Sequence, residues 1–216
     1  MKVNIKILKK AFVSNKVKLD NLNEKELVKK MILRRRLSRS SKILIKLAHE
    51  CEFKNGNMIY GSAYGEVIDT VNILNSINNN EPVSPSAFQN SVYNTAASYH
   101  SILNENKNEI LTLSCGDKTS YKVMQQGALA TLKEDKVFVS SVEAINFAGV
   151  EKLNKCNTDL EYGIGFLIQK TEKEANIEID MNKQDGVPNS LLWMKNLYDL
   201  CENKNECIVS IELWKK

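Results

Sequence analysis

Cys115 is the residue whose chemistry stands out first. It lies in the run Ser114-Cys115-Gly116-Asp117, between an apolar stretch at Ile110–Leu113 and a helix-like stretch that begins near Thr119. A thiolate at that turn would be a nucleophile able to carry a covalent intermediate. Asp117 works mildly against it, because a neighbouring carboxylate disfavours the thiolate. The competing expectation is a small residue that packs the end of a buried strand, as unpaired cysteines commonly do. The other cysteines, Cys51, Cys156, Cys201 and Cys207, are scattered, and His49 and His100 are the only histidines. A zinc site needs thiolates or imidazoles at short spacing, so no metal is expected. A phosphate loop, a dinucleotide fingerprint and a Ser-His-Asp elbow are all missing, so no cofactor is expected either.

The second chemical feature is basic. Lys29, Lys30, Arg34, Arg35, Arg36, Arg39 and Lys42 crowd one segment of a chain whose net charge is only +4. One reading is a solvated helix start balanced by Glu24 and Glu26. Another is docking of an acidic partner, since guanidinium groups pair well with carboxylates and phosphates. Nucleic-acid binding would need a recognisable module and a stronger basic balance, and neither is present.

These residues must be positioned by an ordinary globular scaffold. The chain has 216 residues, 43% hydrophobic and 26% charged, with three prolines, nine glycines and no repeat. A single domain over residues 1–216 is expected. No apolar run is long enough to span a bilayer, and the N-terminus lacks an apolar leader core, so the expected location is the cytoplasm.

Alternating Val3, Ile5 and Ile7 predict an opening strand. A short helix is expected near Glu24–Met31 and a longer one over 36–51. Met58–Ala63 reads as a buried strand and 65–78 as a helix, with Val67, Ile68, Val71, Leu74 and Ile77 on one stripe. Residues 86–104 are helical but less regular. Ile110–Leu113, a helix over 119–133 and Val137–Val142 form a βαβ unit, with Tyr121, Met124, Ala128 and Leu132 facing inward. Asp117 and Thr119 are both plausible helix N-caps. Strands at Gly163–Gln169 and Asn176–Asp180, a turn at 185–188, a helix at 190–202 and a strand at 207–213 complete the chain. Trp193, Leu192, Leu197 and Trp214 read as core or interface. The sum is α/β, a βαβ-rich mixed sheet covered by helices.

Three segments in this order carry a resemblance. They are Arg34-Arg35-Arg36-Leu37-Ser38-Arg39, then Gly61-Ser62-Ala63-Tyr64-Gly65-Glu66 followed by Ser84-Pro85-Ser86-Ala87-Phe88-Gln89-Asn90-Ser91-Val92-Tyr93-Asn94-Thr95-Ala96-Ala97, then Ser114-Cys115-Gly116-Asp117. Over roughly residues 1–170 they resemble the β-ketoacyl synthase-like N-terminal domain family, which is similar to one half of a thiolase-fold synthase. Its members resemble chain-length-factor subunits of aryl polyene and fatty-acid-like gene clusters.

In such a synthase the nucleophilic cysteine sits on the strand-to-helix turn, where the helix N-terminus lowers the thiol pKa and backbone N–H groups hold the oxyanion. Counting back from Val137-Phe138-Val139 places that position nearer Gly116 than Cys115. The resemblance implies small residues and then Gly-Glu-Asp in non-catalytic relatives, and Gly116-Asp117 fits. It also implies that two assisting histidines belong to a second half, which this chain is expected not to contain. Phe88, Asn90, Tyr93, Asn94 and Ala97 are implied as a subunit interface with a full-length β-ketoacyl synthase. Arg34, Arg35, Arg36 and Arg39 are implied as a docking site for acidic acyl carrier protein. The leading expectation is a non-catalytic chain-length-factor-like subunit. The alternatives are a Cys115-dependent acyltransferase or condensing enzyme and a carrier-protein docking module.

Overall fold

The computed structural model describes residues 1–14, 24–145, 161–179 and 187–213. Their elements are β1 (Lys2–Ser14), α1 (Glu24–Leu27), α2 (Met31–Arg36), α3 (Arg39–Glu50), β2 (Asn57–Gly61), α4 (Val67–Asn78), α5 (Pro85–Asn90), α6 (Thr95–Asn104), β3 (Ile110–Leu113), α7 (Thr119–Ala130), β4 (Val137–Ala144), β5 (Glu161–Lys170), α8 (Leu192–Leu200) and β6 (Cys207–Glu212). The strands form a mixed six-stranded sheet in the order β3-β2-β4-β5-β1-β6. β3, β2 and β4 are parallel, and the remaining neighbours pair antiparallel. The mixed α/β architecture agrees with the sequence. β3 and β4 do not pair with each other, because β2 lies between them.

Both faces of the sheet are covered. Ile43, Leu44 and Leu47 of α3 and Ala96 and Ala97 of α6 bury one face against Phe138 and Val142. Val123, Met124 and Ala128 of α7 and Leu192 and Leu197 of α8 bury the other against Val137 and Val139. β4 is buried at every position, as a strand covered on two sides requires. The opening strand does more than its alternation predicts. Val3, Ile5 and Ile7 enter the α7 side, whereas Ala11 and Val13 enter the α3 side. A register shift between Ile7 and Lys9 flips the odd residues from one core to the other, the expected result of one extra residue in a period-two chain.

Several expectations are corrected. The helix expected near Glu24–Met31 is two short helices, α1 and α2, and the one expected from residue 36 starts at Arg39, capped by Ser38, whose side chain accepts from the Ser41 N–H at 3.1 Å. Residues 86–104 are broken into α5 and α6. α4 exists, but none of its residues is fully buried. The helix expected over 119–133 ends at Ala130, which leaves Leu132 outside it and exposed. Residues 176–179 are not a strand. Asn176 Oδ1 accepts from the Ile208 N–H at 2.9 Å, so a side chain takes a bond that a ladder would need, and a lone bridge from Ile177 to Val209 is what remains. Trp214, Cys156, Asp180 and residues 185–186 lie outside the described residues.

Candidate functional site

The three parallel strands bring their C-terminal ends to one edge, where ligand sites of open α/β sheets form. β2 leaves into Ser62-Ala63-Tyr64-Gly65-Glu66, β3 into Ser114-Cys115-Gly116, and β4 ends in Glu143-Ala144. Ser114 Oγ donates to the Ala63 carbonyl at 3.3 Å, so the first two loops touch.

Glu143 organises this edge. Its Oε1 accepts from the Ala63 N–H at 2.7 Å and from Ser190 Oγ at 2.8 Å. Its Oε2 accepts from Ser62 Oγ at 2.9 Å and the Tyr64 N–H at 3.3 Å. Burial pushes the carboxyl pKa up, and the four donors hold it down. Glu143 therefore ties the loop after β2 to the short turn before α8. Sequence reasoning missed it, although a signal was available. Glu143 is the one charged residue in Val137–Ile145, and a charge in a strand buried on both faces must have partners.

A second buried carboxyl, Glu66, ends the loop after β2. Glu66 Oε1 accepts from Ser38 Oγ at 2.8 Å and Oε2 from Ser40 Oγ at 3.2 Å. Burial raises its pKa to about 7, against the pull of both serines. Ser38 and Ser40 thus join the start of α3 to the start of α4. Gly65 makes the approach possible. It has φ +58°, and a Cβ there would sit 3.0 Å from the Tyr93 ring. The Tyr93 hydroxyl donates to the Ala63 carbonyl at 3.2 Å.

The turn after β3 is sharp. Cys115 is exposed and has φ −135°, so it does not pack the end of a buried strand. Gly116 has φ +54°, the left-handed conformation of a sharp strand-to-helix elbow. A Cβ at Gly116 would meet nothing within 4 Å. Neither expected N-cap forms. Lys118 occupies the cap position of α7 without a side-chain bond. Thr119 Oγ1 instead accepts from the Cys115 N–H at 3.0 Å and donates to the Gly116 carbonyl at 2.7 Å. Asp117 accepts from Asn189 at 3.4 Å.

The histidines are elsewhere. His100 stacks on Phe53 with centroids 5.5 Å apart, next to the N-terminal end of β2 and opposite the Cys115 edge. Burial lowers its pKa to about 4. Among the described residues, no hydrogen bond reaches the Cys115 thiol. With no hydrogen-bonded base among the described residues, Cys115 should alkylate with iodoacetamide at neutral pH no faster than free cysteine. Peptide mapping against time would show it, and a tenfold faster reaction would refute the assignment.

The expected interface residues divide. Phe88, Tyr93 and Asn94 are exposed. Ala97 is buried under α3, and Asn90 is half-buried, accepting from Tyr99 at 3.1 Å and donating to the Arg36 carbonyl at 3.1 Å. The four arginines also divide. Arg34 donates to the Val28 carbonyl at 2.8 Å and Arg39 pairs with Glu161 at 2.7 Å, while Arg35 and Arg36 are exposed. Lys42 pairs with Glu24 at 3.0 Å, as the charge-balance reading expects.

A family model described as the N-terminal domain of β-ketoacyl synthase matches residues 14–201. No curated protein matches the chain. Among solved structures, the ketosynthase ApeO in complex with its chain length factor ApeC from Xenorhabdus doucetiae is similar with TM-score 0.62 and 18% identity, over 77% of this chain and 73% of that one. The ishigamide ketosynthase/chain length factor gives TM-score 0.57 and 15% identity, over 70% of this chain and 49% of that one. A β-ketoacyl synthase from Burkholderia phymatum STM815 gives TM-score 0.57 and 11% identity, over 80% of this chain and 60% of that one. The match thus spans about half to three-fifths of the last two. At these identities the likeness shows a shared thiolase-like ketosynthase fold.

Proposed function

This chain belongs to the β-ketoacyl synthase N-terminal domain family, and from that premise we propose that it is a non-catalytic, chain-length-factor-like subunit that pairs with a full-length β-ketoacyl synthase. The observation that carries the reading is Gly116. The left-handed position of the turn, which the resemblance implies is the nucleophile's, holds a glycine, and the neighbouring Cys115 lies in another backbone conformation with no hydrogen-bonded base among the described residues. The edge is well organised by Glu143 and Glu66, and its buried groups hold loops in place.

Pairing is supported by exposed apolar side chains on α4, on α5 and on the connection from α5 to α6. Phe88 is 68% exposed and Leu74 59% exposed, with Ile77, Val92 and Tyr93 also exposed. Exposed large apolar side chains on neighbouring elements suit an interaction site, and aromatic anchors carry much of the energy of an interface. A full-length β-ketoacyl synthase should therefore co-elute with this chain at micromolar concentration. Phe88→Asp should weaken the pair by roughly 30-fold or more, the effect of losing an interface anchor, without shifting the unfolding midpoint. Two separate peaks for the unmodified proteins would refute pairing.

A second reading rests on the exposure of Cys115. Here it would carry an acyl group in an acyltransferase or condensing reaction. Cys115→Ala separates the two. Unchanged product from the paired proteins fits the subunit. Loss of product from a folded Cys115→Ala chain fits the enzyme.

A further inference from the structure

A different surface, away from the strand ends, combines charge with apolar projection. α1 and α2 form a short hairpin whose underside is anchored. Val28 is buried in a cluster with Leu37, Ile45 and Tyr99. Arg34 clamps the turn by donating to the Val28 carbonyl at 2.8 Å, and Lys42 holds α1 through Glu24 at 3.0 Å. The hairpin therefore presents a defined outer tip.

That tip reads Lys29-Lys30-Met31-Ile32, and all four residues are exposed. Ile32 is 70% exposed and Met31 52%. Ile102 of α6 adds a further apolar side chain, 63% exposed, across a shallow cavity of about 810 Å³ that Lys29, Lys30 and Arg36 line together with two carboxylates, Glu26 and Glu105. Arg35 and Arg36 close the other side of the tip. Among the described residues, none of Lys29, Lys30, Arg35 and Arg36 has a carboxylate within ion-pair distance, whereas Lys6, Lys9, Arg39, Lys42, Lys46 and Lys195 do. Unpaired cations thus flank protruding apolar side chains on both sides.

We propose that the α1–α2 tip, with Ile102, docks the protein peripherally on an anionic lipid surface. Met31 and Ile32 enter the boundary between headgroups and acyl chains, and the four cations lie in the plane of the phosphates. Large apolar side chains between Lys and Arg residues are the side-chain combination of interfacial membrane binding. The charge is complementary to an anionic leaflet, and each cation near such a surface strengthens binding by roughly fivefold. An acidic protein would use the cations, but it offers less reason for two aliphatic side chains to project singly into solvent.

The test is sedimentation of the full chain with vesicles of phosphatidylcholine containing 30 mol% phosphatidylglycerol, beside vesicles of phosphatidylcholine alone (about a third anionic, a charge density at which a polybasic surface responds). The protein should pellet with the anionic vesicles, stay in solution with the neutral ones, and release as salt is raised. Lys29→Gln with Lys30→Gln should weaken binding by roughly 25-fold, at fivefold per cation, and Ile32→Asp should abolish it. Both sites are exposed, and an unchanged unfolding midpoint confirms that each variant is folded. Absence from the anionic pellet overturns the proposal, as does equal binding by Ile32→Asp. Capture by poly-glutamate through the same cations, without vesicle binding, would make the tip a protein-docking site and overturn it too.

Discussion

Glu143→Ala lowers the free energy of unfolding by about 4 kcal/mol, measured from urea titrations at pH 7. The size follows from the number of donors. The substitution removes the acceptor of Ser62 Oγ, Ser190 Oγ and the N–H groups of Ala63 and Tyr64. The two hydroxyls can rotate, but the two N–H groups cannot. Each stranded donor costs about 1–3 kcal/mol, and the lost methylenes leave a void. Glu143→Gln tests the same geometry more finely. Its amide nitrogen suits the Ser62 side, where the Tyr64 contact is the longest at 3.3 Å. Its oxygen keeps the Ala63 and Ser190 bonds. About half the loss is expected, near 2 kcal/mol. A change below 1 kcal/mol for Glu143→Ala would show that the carboxyl does not join the two loops.

The elements were more legible in the sequence than their environments. The half-buried edge strand Ile110–Leu113 and the buried strand beginning at Val137 are where the apolar runs place them. The turn expected after Ile110–Leu113 follows β3, and Gly116, which the count back from Val137 favours over Cys115, has φ +54° there. What escaped is tertiary. The stripe from Val67 to Ile77 has helical spacing, and nothing in spacing says whether a helix is covered. The switch of β1 between cores depends on one register shift, which alternation does not encode. Cys115 followed the general habit of cysteines in expectation and departs from it in fact. Glu143 and Glu66 were overlooked because their importance lies in serines distant in sequence.

The last expected result concerns pH, where two buried groups act in opposite senses. The folded protein raises Glu66 to about 7 from an ordinary 4.5, chiefly through burial, with Asp69 adding to it and Ser38 and Ser40 opposing it. The folded state holds that proton more tightly. Its contribution is full below pH 4.5 and is lost as pH rises through 7. The folded protein lowers His100 to about 4 from 6.5, chiefly through burial. That contribution is full above pH 6.5 and is lost as pH falls through 4. Each shift corresponds to about 3 kcal/mol at most. Between pH 4.5 and 6.5 the two slopes oppose, so their combined effect is small. Glu66→Gln removes one slope and leaves the other. Relative to the unmodified protein, the variant should lose about 3 kcal/mol of stability on going from pH 7 to pH 4.5, because His100 is then uncompensated. His100→Gln should show the reverse and gain relative stability over the same interval. Groups common to both proteins and not coupled to the replaced residue, Glu143 among them, cancel in these differences. Urea midpoints at pH 7, 6, 5 and 4.5 would decide it. Variant curves that run parallel to the unmodified one would mean that neither group titrates differently on folding, and the picture of a buried, protonated Glu66 joining α3 to α4 would have to be abandoned.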